Sequence, residues 1–101
     1  MEQMARETLR LAKSRFGNEH RTVAHSLGQL GWARSCLGDL PEAETMFREA
    51  LAIAKKLDDT HPDVAMGLNI LGVVLAYGGK LEEAEAMHRE ALVRRKRLFG
   101  E

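Results

Sequence analysis

The sequence predicts an all-α protein of five antiparallel helices. Its 101 residues suit a single domain of ordinary size. Apolar residues return with the period of an α-helix, and the chain repeats itself at an interval of 41 residues. The chain has only two prolines and only one stretch rich in β-branched residues, Val73-Val74, which argues against a sheet protein.

Composition narrows the class of protein. Hydrophobic residues make up 45% of the chain and charged residues 30%, which is typical of a folded, soluble domain. Fifteen basic residues balance fifteen acidic ones, so we expect neither a nucleic-acid partner nor a membrane surface. No apolar run approaches the roughly 18 residues of a membrane span. The N-terminus lacks the features of a secretory signal, so we expect a cytoplasmic protein.

The repeat is visible when residues 20–60 are placed over residues 61–101, where 18 of the 41 positions are identical. Residues 1–19 join the pattern with a shift of 42. We therefore predict one domain, 1–101, in which 1–19 form the second helix of a partial repeat plus a linker. Residues 20–60 form the first whole repeat and 61–101 the second. The incomplete start favours a fragment of a longer array or a degenerate array.

Each whole repeat reads as two helices. Val64, Leu68, Leu71 and Leu75 form one helical stripe, and the second helices carry stripes of their own. Glycine stops the first helices, Asp39 caps the next helix with Glu42 completing a capping box, and Pro62 opens another. The expected helices are 2–16, 20–37, 40–57, 61–78 and 81–98. The second-helix stripes comprise Leu40, Ala43, Phe47, Ala50, Leu51, Ala54 and Leu57, and Leu81, Ala84, Met87, Ala91, Leu92 and Leu98.

Four segments carry a family resemblance: residues 61–65 (HPDVA), 68–72 (LNILG), 79–85 (GKLEEAE) and 89–92 (REAL). Together they resemble the tetratricopeptide repeat (TPR), most closely its kinesin light chain-like type. The resemblance implies a right-handed α-solenoid whose first helices line a concave groove. The kinesin light chain pattern often has two asparagines in its first helix, and here Asn69 alone remains of that pair.

The resemblance also assigns candidate binding residues. The leading function is a non-enzymatic interaction module that binds a protein or peptide in the groove, where aromatic side chains anchor the partner. The alternative for Trp32 and Tyr77 is packing between neighbouring helices. The groove residues are His25, Gly28, Trp32, Ser35, Cys36, Met66, Asn69, Val73 and Tyr77.

Two further functions stay open. An incomplete array exposes apolar ends, so the chain is also a candidate for self-assembly into a homo-oligomer, head to tail or by exchange of helices. A regulatory fragment of a larger multidomain protein is the other alternative. The candidate self-association residues are Met4, Leu9 and Phe16 at one end and Leu92, Leu98 and Phe99 at the other.

We predict no catalytic, cofactor-binding or metal-ligating residues. His20 and His61 occupy equivalent linker positions, which indicates a structural role such as capping a helix. We expect neither catalysis nor metal binding at His25 or His88, and the single cysteine, Cys36, is typical of a small inert hydrophobe. We interpret the basic run 94–97 (RRKR) as a solvated helix end. The alternative interpretation is a contact with phosphate or an acidic partner.

Overall fold

The structure, a computed structural model, describes residues 2–17 and 20–100, with the side chains of residues 2, 4, 5 and 16 left undescribed. Its helices confirm all five expected elements to within one residue at each end, and the described ranges contain no strand. The helices are α1 (Glu2–Phe16), α2 (Arg21–Cys36), α3 (Leu40–Asp58), α4 (Pro62–Tyr77) and α5 (Leu81–Phe99).

Each helix packs chiefly against its neighbours in sequence, which makes the fold an all-α helical solenoid. One core cluster joins α1, α2 and α3 through Ala12, Val23, Leu27 and Ile53. The other core cluster joins α3, α4 and α5. Helix α3 contributes to both clusters and is the central element of the stack. The α3–α5 cluster consists of Ala43, Phe47, Leu51, Val64, Leu68, Leu71, Val74, Leu75, Ala84 and Ala91.

Polar side chains at the helix starts fix the helix boundaries. The Nδ1 atoms of His20 and His61 accept from the backbone N–H groups two residues on, at 3.0 and 3.1 Å, so the two histidines are N-caps. Asp39 accepts from the N–H of Glu42 at 3.4 Å. The expected capping box is wrong in its second half, because the N–H of Asp39 donates to the carbonyl of Arg34.

Glycines serve two separate purposes. Gly38 and Gly79 have φ values of 84° and 83°, a left-handed conformation that ends α2 and α4 at little cost. Gly31 and Gly72 instead allow close helix packing. A Cβ on Gly31 would lie 3.2 Å from Phe47 ring atoms, and one on Gly72 would lie 2.7 Å from Nε2 of His88.

Charged clamps tie α3 to the segments that follow it. Arg48 binds Glu44 within α3, at 2.9 Å, and also Glu83 of α5. Nζ of Lys80 lies 2.9 Å from Oε1 of Glu44. Hydrogen bonds from Lys80 and Arg48 hold the pKa of Glu44 below its usual range. These contacts fix the turn before α5 against the preceding helix pair.

The stripes of the second helices are buried unequally. In α3, Phe47 and Leu51 are buried, whereas Leu57 near its end is exposed. In α5, Leu81, Leu92 and Leu98 are exposed. Leu51 is covered because α4 packs on α3, and no described helix packs on the corresponding side of α5.

Candidate partner-binding surface

Helix α2 presents one of the two candidate binding stripes. Its core-facing side buries Val23, Leu27 and Leu30, which leaves the opposite side to solvent. On that side Trp32 is 57% exposed and belongs to neither core cluster. The other candidate residues of α2 range from half-buried (Gly28, Ser35) to exposed (His25, Cys36). The only tryptophan of the chain is therefore largely available to a partner.

Helix α4 presents the second stripe in the same way. Leu68, Leu71 and Leu75 are buried against α3 and α5. On the other side Tyr77 is 74% exposed, and Met66 and Val73 are also exposed. The candidate residues of α2 and α4 together include no Asp, Glu, Lys or Arg, so their chemistry favours apolar side chains of a partner.

Asn69 is half-buried and already has a partner within the chain. Its Oδ1 lies 3.0 Å from Nδ1 of His88 on α5. The imidazole of His88 also covers Gly72, which would have no room for a Cβ. The carbonyl of Asn69 is thus held towards α5, and its amide NH₂ is the group left to contact a bound backbone. Asn69 and His88 are 19 residues apart, and the sequence gives no direct sign of the contact.

Cys36 is exposed at the end of α2, beside α1. It lines an open cleft of about 800 Å³ together with Leu37 and side chains of α1. In that wall, Arg10 hydrogen-bonds Glu7 and lowers the pKa of its carboxyl. The cleft lies between α1 and the end of α2, so Cys36 borders a charged surface on its α1 side.

A second, smaller cleft of about 230 Å³ lies between α4 and α5. It contains two residues predicted for the groove, Met66 and Asn69, and one predicted for the chain end, Phe99. Pro62, Ala65 and Arg95 complete its lining and were not among the predicted site residues. The structure thus brings together residues that the sequence assigned to separate surfaces.

The expected self-association ends differ from one another. On α1, Leu9 is half-buried against the first core cluster, and Leu11 is the exposed leucine instead. The predicted side chains of Met4 and Phe16 lie outside the described residues. On α5, Leu92 is 52% exposed and Phe99 60% exposed, and Leu98 is also exposed. Among the described side chains, α5 carries more exposed large apolar residues than α1 does.

One residue of the basic run at the end of α5 forms ion pairs within the chain. Arg94 binds the carboxylate of Asp59 at 3.2 Å and Glu90 at 2.9 Å. It also donates to the Asp59 carbonyl at 2.5 Å. Arg95, Lys96 and Arg97 form no ion pair with another residue in the described part of the chain. Arg94 therefore anchors the α3–α4 linker, and its three neighbours carry the remaining positive charge.

The described residues offer neither a metal-binding cluster nor a membrane-spanning helix. No three His, Cys, Asp or Glu side chains within residues 2–17 and 20–100 are grouped so that they could hold a metal ion. Over the same ranges, none of the helices is long and apolar enough to cross a membrane.

The stacked helix pairs and their 41-residue repeat define a helical-repeat protein. The tetratricopeptide repeat family model matches residues 1–56 and 37–97, and the chain belongs to that family. Such repeats generally mediate protein–protein interactions and are generally non-enzymatic. No curated protein matches the chain.

Proposed function

We propose that the chain is a protein-interaction module that binds a peptide or helix of a partner across the exposed sides of α2 and α4. Trp32 and Tyr77 are the anchors, and Met66 and Val73 are further exposed apolar residues of α4. Asn69 donates its amide NH₂ to the partner's backbone. We assign the module to the kinesin light chain-like type and to the cytoplasm, on the sequence features given above.

The exposure of Trp32 is the observation that carries this proposal. A tryptophan in a folded protein is mostly buried on average, because its large apolar surface favours removal from water. Here the ring lies outside both core clusters and beside uncharged neighbours. Covering it with a partner's apolar side chains would recover roughly 25 cal/mol for each Å² removed from water. Exposed aromatic residues of this kind are common interface hot spots.

A peptide library tests the groove. Peptides selected on the wild-type chain are titrated against Trp32→Ala, with Leu11→Ala as the matched control on an equally exposed residue of α1. We expect Trp32→Ala to weaken binding by about 1–3 kcal/mol and Leu11→Ala to leave it unchanged. Equal affinities for Trp32→Ala and wild type, with helicity retained, would reject the groove.

Self-assembly is a second candidate function, favoured by the exposed apolar side chains of α5. Leu92 and Phe99 are both more than half exposed, although a neighbouring helix covers the residue equivalent to Leu92 in α3. Burying such a surface against another copy would remove an aggregation hazard and create an oligomer. Light scattering over a range of concentrations measures it directly, and a mass that stays monomeric throughout would reject it.

A further inference from the structure

Helix α5 carries a continuous row of exposed residues along one side. We call this row the outer stripe: Leu81, Glu85, His88, Leu92, Arg95 and Phe99. Their spacings alternate between four and three residues, so all six lie on one side of the helix. The row is exposed along its whole length, with Leu81 66% exposed at one end and Phe99 at the other.

The first repeat shows which element packs on the equivalent side of α3. Shifted back by 41 residues, Leu81, His88, Leu92 and Arg95 correspond to Leu40, Phe47, Leu51 and Ala54 of α3. Phe47 and Leu51 belong to the core cluster that α3 forms with α4 and α5, and Leu40 and Ala54 are partly buried against it. The packing extends to Gly67 of α4, where a Cβ would lie 3.3 Å from Cδ1 of Leu51. The outer stripe therefore occupies the position at which this fold packs a further helix.

The stripe differs from its counterpart in a way that limits its partner. His88 replaces a buried phenylalanine, and Arg95 replaces a half-buried alanine. An apolar helix laid along α5 would leave the Arg95 guanidinium without a counter-charge, at an energetic cost. The partner surface must thus offer apolar contacts at both ends of the stripe and an acidic group opposite Arg95.

The outer stripe of a second chain, packed antiparallel on the first, meets both requirements. In an antiparallel copy centred on residue 90, Leu81 opposes Phe99, Glu85 opposes Arg95, and His88 opposes Leu92. Along the stripe, Glu85 places a negative charge in the first half of α5 and Arg95 places a positive charge in the second half, whereas Glu83 and Arg97 lie on the opposite side of the helix. An antiparallel pair places opposite charges together, whereas a parallel pair would place like charges together.

We propose that two copies of the chain pair through the outer stripes of α5, antiparallel and related by a two-fold axis. The proposal rests on the second candidate function, self-assembly, and does not require peptide binding by α2 and α4, although the two surfaces meet at the cleft between α4 and α5. It replaces the head-to-tail arrangement, because α1 carries Arg10 and Lys13 and would bring positive charge against the basic end of α5.

Two features of the structure fit this dimer. The cleft of about 230 Å³ beside Arg95 and Phe99 lies where Leu81 of the second copy would arrive, and Met66 supplies it with an apolar wall. Glu85 contacts Arg89 one turn further along α5, but both side chains are more than half exposed. Such a surface pair is weak and leaves the carboxylate accessible to Arg95 of the second copy.

The size of the contact sets its strength. Helix α5 has 19 residues and is therefore roughly 28 Å long, so the interface lies at the small end for specific dimers. We expect a reversible dimer whose mass depends on protein concentration. Raising the salt concentration should shift the equilibrium towards monomer, because the Glu85–Arg95 contacts occur at the edge of solvent.

Charge reversal tests the arrangement by analytical ultracentrifugation up to about 1 mM chain, a range that detects even millimolar dissociation constants. Arg95→Glu and Glu85→Arg should each raise the dimer dissociation constant by about tenfold, because symmetry makes each change act twice. The double variant should restore dimerisation. A mixture of the two single variants should form a heterodimer, since both of its cross-contacts are then complementary.

Arg97→Glu is the matched control. It makes the same charge change in the last turn of the same helix, but off the outer stripe, so the dimer should persist. Circular dichroism verifies that each variant remains folded. A chain that stays monomeric at all concentrations would overturn this proposal together with self-assembly. If neither single charge reversal changes the dimer dissociation constant but Leu11→Glu abolishes the dimer, the α5 pairing is overturned and self-assembly through another surface remains.

Discussion

Gly31→Ala probes the packing between α2 and α3 on which the stack depends. The added Cβ would lie 3.2 Å from Cβ of Met46 and 3.2 Å from two ring atoms of Phe47. That separation is shorter than ordinary carbon–carbon contact. The Phe47 ring is buried in the core cluster with α4 and cannot swing into solvent, so the strain must spread into both helices.

The expected change in the free energy of unfolding of Gly31→Ala follows from two opposed effects. Alanine in place of a helical glycine stabilises the fold by about 0.5–1 kcal/mol, chiefly through the lower entropy of the unfolded chain. Inserting a methyl group into a packed core costs about 1–3 kcal/mol. The net expectation for Gly31→Ala is a destabilisation of about 0–2.5 kcal/mol. At Gly28, three residues earlier, an added Cβ would meet no atom within 4 Å, so Gly28→Ala should stabilise the protein by about 0.5–1 kcal/mol.

Urea unfolding followed by circular dichroism compares the two variants with wild type. Because they make the same chemical change on the same helix, their opposite signs isolate the contact with Phe47. The midpoints should separate in opposite directions, with thermal midpoints differing by several degrees, at about 4–8 °C for each kcal/mol. Two variants that both stabilise the fold would refute the close approach of α2 and α3 at Gly31.

Three further substitutions test other parts of the account. His61→Ala removes the N-cap of α4 and should lower the free energy of unfolding by about 1 kcal/mol in the same urea assay. The lowered pKa of Glu44 contributes stability that is fully present above the ordinary glutamate value of 4.5 and is lost as the pH falls through its folded-state pKa. Glu44→Gln should therefore flatten the loss of stability on acidification, and an unchanged pH profile would contradict the Lys80 clamp. Trp32→Ala should change the free energy of unfolding by less than about 1 kcal/mol, since the ring is largely exposed, and a cooperative loss of helicity would place it in the core.

The helices and their caps could be predicted from the sequence because their causes are local. The apolar period of α4, from Val64 to Leu75, sets a helix and the side that it buries. The recurrence of histidine at positions 20 and 61 indicated a capping role, which the hydrogen bonds confirm. Gly31 and Gly72 occupy equivalent positions of the repeat, and both lie at close helix contacts.

The remaining features depend on which surfaces the fold brings together. Leu51 and Leu92 occupy equivalent positions in nearly matching segments, yet only Leu51 is buried, because α4 covers it. The contacts of Arg94 with Asp59 span 35 residues, and no local pattern signals them. On α1, Leu9 is half-buried and Leu11, two positions later, is exposed. The partial repeat in the sequence does not show which of the two leucines faces the core. Side-chain partners across helices thus required the structure.

The central claim is that α2 and α4 bind a partner through Trp32 and Tyr77. Its most direct test is the affinity of one library-selected peptide, measured by calorimetry, for wild type, Trp32→Ala and Leu92→Glu. Trp32→Ala should lower the affinity by about 5- to 150-fold, equivalent to about 1–3 kcal/mol. Leu92→Glu should bind as wild type does, because Leu92 does not line the cleft that α5 shares with Met66 and Asn69. Full affinity in Trp32→Ala, combined with loss of binding in Leu92→Glu, would contradict the account and place the binding surface on α5.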